Sequence, residues 1–328
     1  MKLRNLLFCT AVVCGLTSQL FATTIRVTLQ LPLSHSLGEN WQDFKKIVEK
    51  ESNGELKVII FPSAQLYKDK QVPTAVGTGA IEAGSAFLGR FTGSVPAADV
   101  VSLPFFFDDS EHLKAAVANG SKMRTILDKA ILKETGAKVL WWQAYGHNVY
   151  LSKKTPIEVP SDLKGQKVRT YGKVLGWTVE ALGGVPVLMS GSKQFLAYQQ
   201  GAVDIGMTGL SAVKSRKLFE VMNNMTVAND NVIEFLAIMN NDVFNSLSAK
   251  NQKVIMDAAS IVEEKLRNKV YAEEKQTIKY LEDKINVVKI TDAQRAKWVK
   301  ATQPVIDRFI KEHGAMAQEI VNAAKSAR

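Results

Sequence analysis

The sequence predicts an α/β protein with mostly parallel strands, folded into two lobes. Three observations carry that expectation. Residues 162–204 alternate strand, helix, strand, helix, strand, with glycines marking the turns. A similar alternation occupies residues 25–87. A helical pattern then runs from Ser248 to about Asp283. At ~1.5 Å per residue it reaches about 54 Å, longer than a small domain, so it must bridge two domains or project into solvent.

Residues 25–31 read as the first strand, followed by the loop 32–36. Residues 37–52 form an amphipathic helix with Trp41, Phe44, Ile47 and Val48 on one face, ended by Asn53-Gly54. Leu56–Phe61 is a strand, 73–78 a short helix stopped by Gly79, and 81–87 a strand. Pro104-Phe105-Phe106-Phe107 closes this block, 110–135 is helical, and 138–143 is a strand. In the second unit, the strand at 167–169 breaks at Thr170-Tyr171-Gly172. A helix over 174–182 stops at Gly183-Gly184, a strand covers 185–189, a helix over 193–200 is closed by Gly201, and a strand starts at Ala202. Residues 233–239 form another strand, and Ser248 caps the long helix, whose apolar positions Val254, Ile255, Ala258, Ile261, Val262 and Leu266 favour packing along the structure. A strand at 285–290 and helices at 292–312 and 315–327 finish the chain.

The first residues read as a targeting segment. Lys2 and Arg4 precede the apolar run 6–13, and Leu20-Phe21-Ala22 offers a cleavage site, so residues 1–22 form a secretory signal peptide. The run is too short for a membrane span, and the bulky Phe8 and Val13 ahead of Cys9 and Cys14 make a poor lipoprotein signal. Both cysteines fall in this segment, so the exported chain is expected to form no disulfide and no thiolate metal site. The expected location is the periplasm. The domain layout is residues 23–146 with 234–273 as one lobe, and 147–233 with 274–328 as the other. The net charge of +10 becomes +8 without Lys2 and Arg4. Its lysines are scattered, which describes a solvated surface or a weak field for anions, and no basic stripe with interleaved aromatics marks a nucleic-acid partner.

Enzyme signatures are missing. Gly77-Thr78-Gly79 is followed by Gly84, which is not a dinucleotide fingerprint, and there is no Walker loop or nucleophile elbow. His35, His112, His147 and His313 are not paired at metal-ligand spacing, and Asp108-Asp109 and Glu263-Glu264 are adjacent carboxylates that face different ways. No catalytic residue, metal site or cofactor is expected. One residue stands out. Arg169 lies at the carboxyl end of its strand, where open α/β sheets bind ligands, and its planar fork suits a carboxylate held through two parallel hydrogen bonds. On the residues alone, a ligand contact and a structural ion pair remain equally open.

The segments LPLSHSLGENWQDFKKIVEKESNGELKVIIFPSAQLYKD, AVGTGAIEAG, VVSLPFFF, DLKGQKVRTYG, ALGGVPVLM and AYQQGAVDIGMTGLSAVKSRKLFEV resemble the substrate-binding proteins of TRAP transporters, the DctP-type solute receptors, over nearly the whole exported chain. The resemblance implies a type II-like periplasmic binding protein: two α/β lobes with a cleft, bridged by a long helix. It implies closure on a small organic acid and delivery to a membrane permease of two integral subunits driven by an ion gradient, with no chemistry performed. Two alternatives stand beside it, a secreted enzyme on the same scaffold and a binding protein feeding a sensor. The receptor is expected to be a monomer.

The family's carboxylate-clamping arginine carries over onto Arg169. Elsewhere the pattern departs. Met207 and Thr208 stand where members often carry an asparagine after a glutamate, Val149 replaces a second arginine of the sialic-acid-binding members, and Phe87 replaces an acid. A buried polar group left without a partner costs about 1–3 kcal/mol, so the pocket is expected to prefer a small or partly apolar carboxylate. Dicarboxylates, 2-oxo and 2-hydroxy acids, aromatic acids and pyroglutamate-like ligands all remain open. Phe87, Met207, Tyr145 or Trp142 would stack on it, roles for which core packing is the competing reading. Arg90 matches a family arginine on the other lobe, either a second anion contact or a structural partner. Gln30 and His35 lie on the loop after the first strand, within reach of the cleft. Lys193 replaces a usual glutamate and reads as exposed.

Overall fold

A computed structural model of the protein describes residues 22–327. The expected signal segment, apart from Ala22, lies outside them. The first half of the chain contributes β1 (Thr23–Thr28), α1 (Ser36–Glu51), β2 (Leu56–Phe61), α2 (Val72–Gly77), β3 (Ala83–Phe87), α3 (Ser110–Val117), α4 (Lys122–Thr135) and β4 (Ala137–Ser152). The second contributes β5 (Lys167–Thr170), α5 (Lys173–Ala181), β6 (Val185–Leu188), α6 (Gln194–Gln200), β7 (Ile205–Gly209), α7 (Leu210–Ser215), β8 (Asn224–Val227), β9 (Val232–Asn240), α8 (Asn241–Ser246), α9 (Ala249–Glu282), β10 (Asn286–Lys289), α10 (Asp292–Thr302) and α11 (Pro304–Lys325).

Two groups of strands share β4. Its first part, up to His147, pairs antiparallel with β9, and the order continues through β3 and β1 to β2. From Asn148 onward it pairs with β7 and β8, which lead to β5–β6 and to β10. The sequence pattern assigned only six residues to this strand. Gly146-His147-Asn148 continues the strand, with side chains of neighbouring elements meeting its polar groups. His147 Nδ1 lies 2.8 Å from Glu274, and the Asn148 amide donates to Asp230 at 3.3 Å. Gly146 sits at a register shift with φ of +101°, and a Cβ there would fall 2.6 Å from the Glu274 carboxylate, so only glycine fits.

Within each group β1, β2 and β3, and β5, β6 and β7, run parallel. Their carboxyl ends face one another across the seam. α9 crosses both groups, capped by the Ser248 hydroxyl, which accepts from the Asn251 amide. At ~1.5 Å per residue it is about 51 Å long. It buries Ile255, Ala258, Ala259, Val262, Leu266, Val270 and Leu281, while Ile261 points outward rather than into the core. The expected helix 110–135 is two helices, because Gly120 adopts φ of +82° between them. The chain also leaves the helical conformation at Gly314, where the sequence places a break. α11 packs on residues 96–102 and α4 as well as on α5, so it contacts elements of both groups.

Candidate functional site

The carboxyl ends of the parallel strands converge on one narrow cavity. Its cavity volume is about 30 Å3. That is well below the roughly 300–1,000 Å3 of open ligand pockets, so the lobes here close tightly on the space between them. Gln30, beyond β1, and Phe87, ending β3, line it from one side, with Asp69. Arg169 on β5, Tyr171, Gly191, Gln194, Thr208 and Gly209 on β7, and Arg216 line it from the other. Tyr145, Ile233 and Phe235, from the two connecting strands, form the floor.

Arg169 is 3% exposed. Its Nε and Nη2 donate to the Met189 carbonyl at 3.2 and 3.0 Å, and Nη1 donates to the Met207 carbonyl at 2.6 Å. Five N–H donors less these three bonds leave one on each terminal nitrogen, and the Tyr198 hydroxyl is also within the group's reach. Its guanidinium also lies 5.0 Å from the centroid of Tyr171. Among the described residues no acidic side chain comes within 4.0 Å of it. The packing beneath it is tight. A Cβ at Gly206 would sit 2.2 Å from the Tyr198 hydroxyl, which bonds Gln194 at 3.1 Å, and one at Gly209 would sit 2.2 Å from the Tyr145 ring. Tyr145 stacks on Phe235 with centroids 5.1 Å apart, and burial raises its pKa.

Of the residues singled out from sequence, the cavity gathers Gln30, Phe87, Tyr145, Arg169 and Thr208. Three others sit elsewhere. Met207 faces the core, because side chains alternate along β7, and offers Arg169 only its carbonyl. Arg90 is committed to Asp69 through bonds of 3.1 and 2.6 Å, which favours the structural partner over the anion contact. His35 caps α1: its Nδ1 accepts from the Leu37 amide at 3.0 Å, which leaves Nε2 to donate to Ser211 at 3.0 Å. Burial, with Arg216 adding to it, pushes its pKa down to about 3, so the ring is neutral and has no free donor for a carboxylate. Trp142 is fully buried and donates to Asp128 at 2.8 Å, away from the cavity, and Lys193 is exposed.

Sequence reading passed over Asp69 and Arg216. Asp69 lies between two lysines and resembles a solvated charge, yet it is 2% exposed and also accepts from the Ser190 hydroxyl across the seam. Arg216 follows the short helix after β7, among Lys214 and Lys217. The signal available was its place one helix beyond a strand end that already carried Thr208.

The model of bacterial extracellular solute-binding proteins, family 7 (DctP), matches residues 29–313. The chain belongs to this family. A solute-binding protein of Verminephrobacter eiseniae is 29% identical over 306 residues, covering 92% of this chain and 90% of the relative. The C4-dicarboxylate-binding periplasmic protein DctP of Rhodobacter capsulatus is 28% identical over 294 residues, covering 88% and 86%. Among solved structures, a TRAP periplasmic solute-binding protein from Sulfurospirillum deleyianum with bound succinate superimposes with a TM-score of 0.86 at 27% identity, covering 93% of this chain and 99% of that one. This DctP-family protein is a periplasmic solute receptor of the TRAP type for small organic acids, with a permease as its membrane partner, and not an enzyme.

Proposed function

We propose that the protein captures a small carboxylate in the interlobe cavity, with Arg169 as the clamp, and hands it in the closed state to permease subunits that use an ion gradient. The lobes on this reading are residues 23–146 with 234–273 and residues 147–233 with 274–328, and the receptor acts as a monomer. One observation carries the proposal. Arg169 is buried at the cavity wall, held by two backbone carbonyls, and the protein places no carboxylate beside its terminal nitrogens. A structural arginine at such depth ordinarily has an acidic partner. The relatives support a compact ligand: the structure from Sulfurospirillum deleyianum holds succinate, and one from Polaromonas, 26% identical with a TM-score of 0.86, holds D-erythronate. The small volume of the cavity disfavours a bulky solute. Thermal melting against a panel of three- to six-carbon acids tests the reading. At least one acid is expected to raise the melting temperature in a saturable way. A panel in which only neutral sugars or amines do so refutes it.

A further inference from the structure

Residues 96–102 belong to the side of the seam that carries β1 to β3, and they send Asp99 to the other side. Its Oδ2 accepts from the Val174 amide at 3.0 Å, and its Oδ1 accepts from the Ser102 hydroxyl at 2.7 Å. Val174 lies in the first turn of α5, the helix that follows β5 and Arg169. Gly172 stands at the N-cap position of that helix and has no side chain to bond its free amides. An aspartate commonly fills that position within the same chain segment. Here the aspartate comes from across the seam. Among the described residues no lysine or arginine nitrogen lies within 4.0 Å of its carboxylate.

Two glycines make room for it. A Cβ at Gly89 would sit 2.5 Å from Asp99 Oδ1, and one at Gly172 would sit 2.8 Å from Oδ2. The carboxylate thus fills a slot between the turn after β3 and the turn after β5, and it is fully buried there. The second turn also carries Tyr171. Its ring lies 5.0 Å from the Arg169 guanidinium and meets Phe87 edge-on at 5.2 Å, and its hydroxyl donates to Asn148 at 3.0 Å. Asp99 is not among the residues that line the cavity. The charged groups around it are engaged elsewhere. Arg90, which lowers its pKa, bonds Asp69, and Lys173 pairs outward with Glu312 of α11 at 3.4 Å. Glu180 of α5 accepts from Arg308 of α11, and Glu234 of β9 accepts from Arg267.

We infer that Asp99 is a positioning residue for acid capture: it is a cap that α5 gains only when the lobes meet, and it fixes the turn joining Arg169 to that helix. This rests on the reading of the two groups of strands as lobes that part and close. In the parted state water solvates the carboxylate, and the first amides of α5 lose their acceptor. In the closed state the carboxylate is sealed without a counter-charge, and burial pushes its pKa up from 3.8 to about 6. The closed state therefore binds a proton more tightly than the open one. Its contribution to closure is fully present below about pH 4 and is lost as pH rises through about 6. A permanent cap, with Asp99 and α5 in one rigid body, would leave closure indifferent to both the side chain and the proton.

Residues 22–328 carry no cysteine, so Lys57→Cys on β2 and Gln199→Cys on α6, both exposed, give two unique sites for nitroxide labels. Pulsed electron resonance between them reads the distance across the seam, without acid and with succinate or D-erythronate at the concentration that half-closes the protein. The wild type, Asp99→Asn and Asp99→Ala are compared at pH 7.5 and pH 5. Asp99→Asn keeps an acceptor for the Val174 amide but cannot titrate, and it shares every other pH effect, including protonation of the acid itself. Relative to it, the closed-to-open ratio of the wild type is expected to rise about 10-fold between pH 7.5 and pH 5. Asp99→Ala lowers the ratio at pH 7.5 by the roughly 2- to 30-fold that a lost cap represents, and Asp99→Asn restores most of it. If Asp99→Ala does not fold, the wild type against Asp99→Asn decides the matter. A pH response shared by those two, or an alanine variant that closes as fully as the wild type, overturns the inference and leaves the closing lobes standing. One distance under every condition removes the closing-lobe reading and the cap with it.

Discussion

Replacing Arg169 with alanine is the most direct probe of the site, and the structure sets the size of its effect. The side chain keeps one N–H on each terminal nitrogen after its bonds to the Met189 and Met207 carbonyls. A carboxylate bound through both gains about 1.5–3 kcal/mol per charge-assisted bond. Losing the pair therefore weakens binding by about 3–6 kcal/mol, on the order of 10²- to 10⁴-fold. Melting with and without acid reads this out. At a ligand concentration of about 100 times Kd the wild type gains about 2.7 kcal/mol, which is roughly 5 °C for a chain of this size. Arg169→Ala at the same concentration should gain well under about 1 °C. The ligand-free variant should melt only a few degrees lower, because each lost bond to a carbonyl contributes a net of only about 0.5–1.5 kcal/mol. A folded Arg169→Ala protein that keeps the wild-type shift would refute the clamp.

Two further outcomes follow from the packing and from buried charge. Gly206→Ala places a Cβ 2.2 Å from the Tyr198 hydroxyl. Overpacking of this kind costs about 1–3 kcal/mol, and the displaced ring disturbs Gln194, so calorimetry should find both a lower melting temperature and weaker acid binding; a variant unchanged in both would show that β7 yields freely. Asp99 is fully buried and its pKa is raised from 3.8 to about 6, chiefly by burial, although Ser102 and the Val174 amide donate to it. The native state thus binds the proton more tightly than the unfolded chain, and the favourable contribution present below about pH 4 is lost as pH rises through about 6. At about 1.4 kcal/mol per pKa unit, urea unfolding at pH 4 and pH 7 should show the wild type losing about 3 kcal/mol relative to Asp99→Asn, and a pH-independent difference would contradict this.

Much of the fold was legible because its punctuation is local. Gly183 and Gly201 each adopt positive φ at a helix end, at +83° and +68°, where the sequence puts stops. Arg169 was legible because strand direction alone fixes the binding end of a parallel sheet. β4 was not, since its polar residues look solvated until α9 supplies Glu274 and the β8–β9 connection supplies Asp230. Met207 and Thr208 were separable in principle: a period of two sends one inward to the core and the other to the cavity, and the residue types do not say which. Arg216 and Asp69 were hidden for a different reason. Charged residues among lysines read as surface by default, and only the tertiary seam shows that these are enclosed.

That seam also explains how binding and closure become one equilibrium on the proposed reading. Hydrogen bonds cross it from Arg216 to Gln30, from Ser190 to Asp69, from the Val174 amide to Asp99, and between His35 and Ser211. Each contributes a net of only about 0.5–1.5 kcal/mol, because water satisfies the same groups when the lobes part. Against them stands the burial of Arg169 and Arg216 without counter-charge, a penalty of several kcal/mol per ion before relaxation. The two sides are of similar size, so the unliganded receptor has no strong reason to stay shut. An acid changes only the second side, converting the penalty into charge-assisted bonds that the open state cannot form. A ligand shifts a conformational equilibrium by its differential affinity for the two states, and on the proposed reading that differential comes from Arg169. On that reading a neutral solute of the same shape would fill the cavity without relieving Arg169, and would leave the lobes apart.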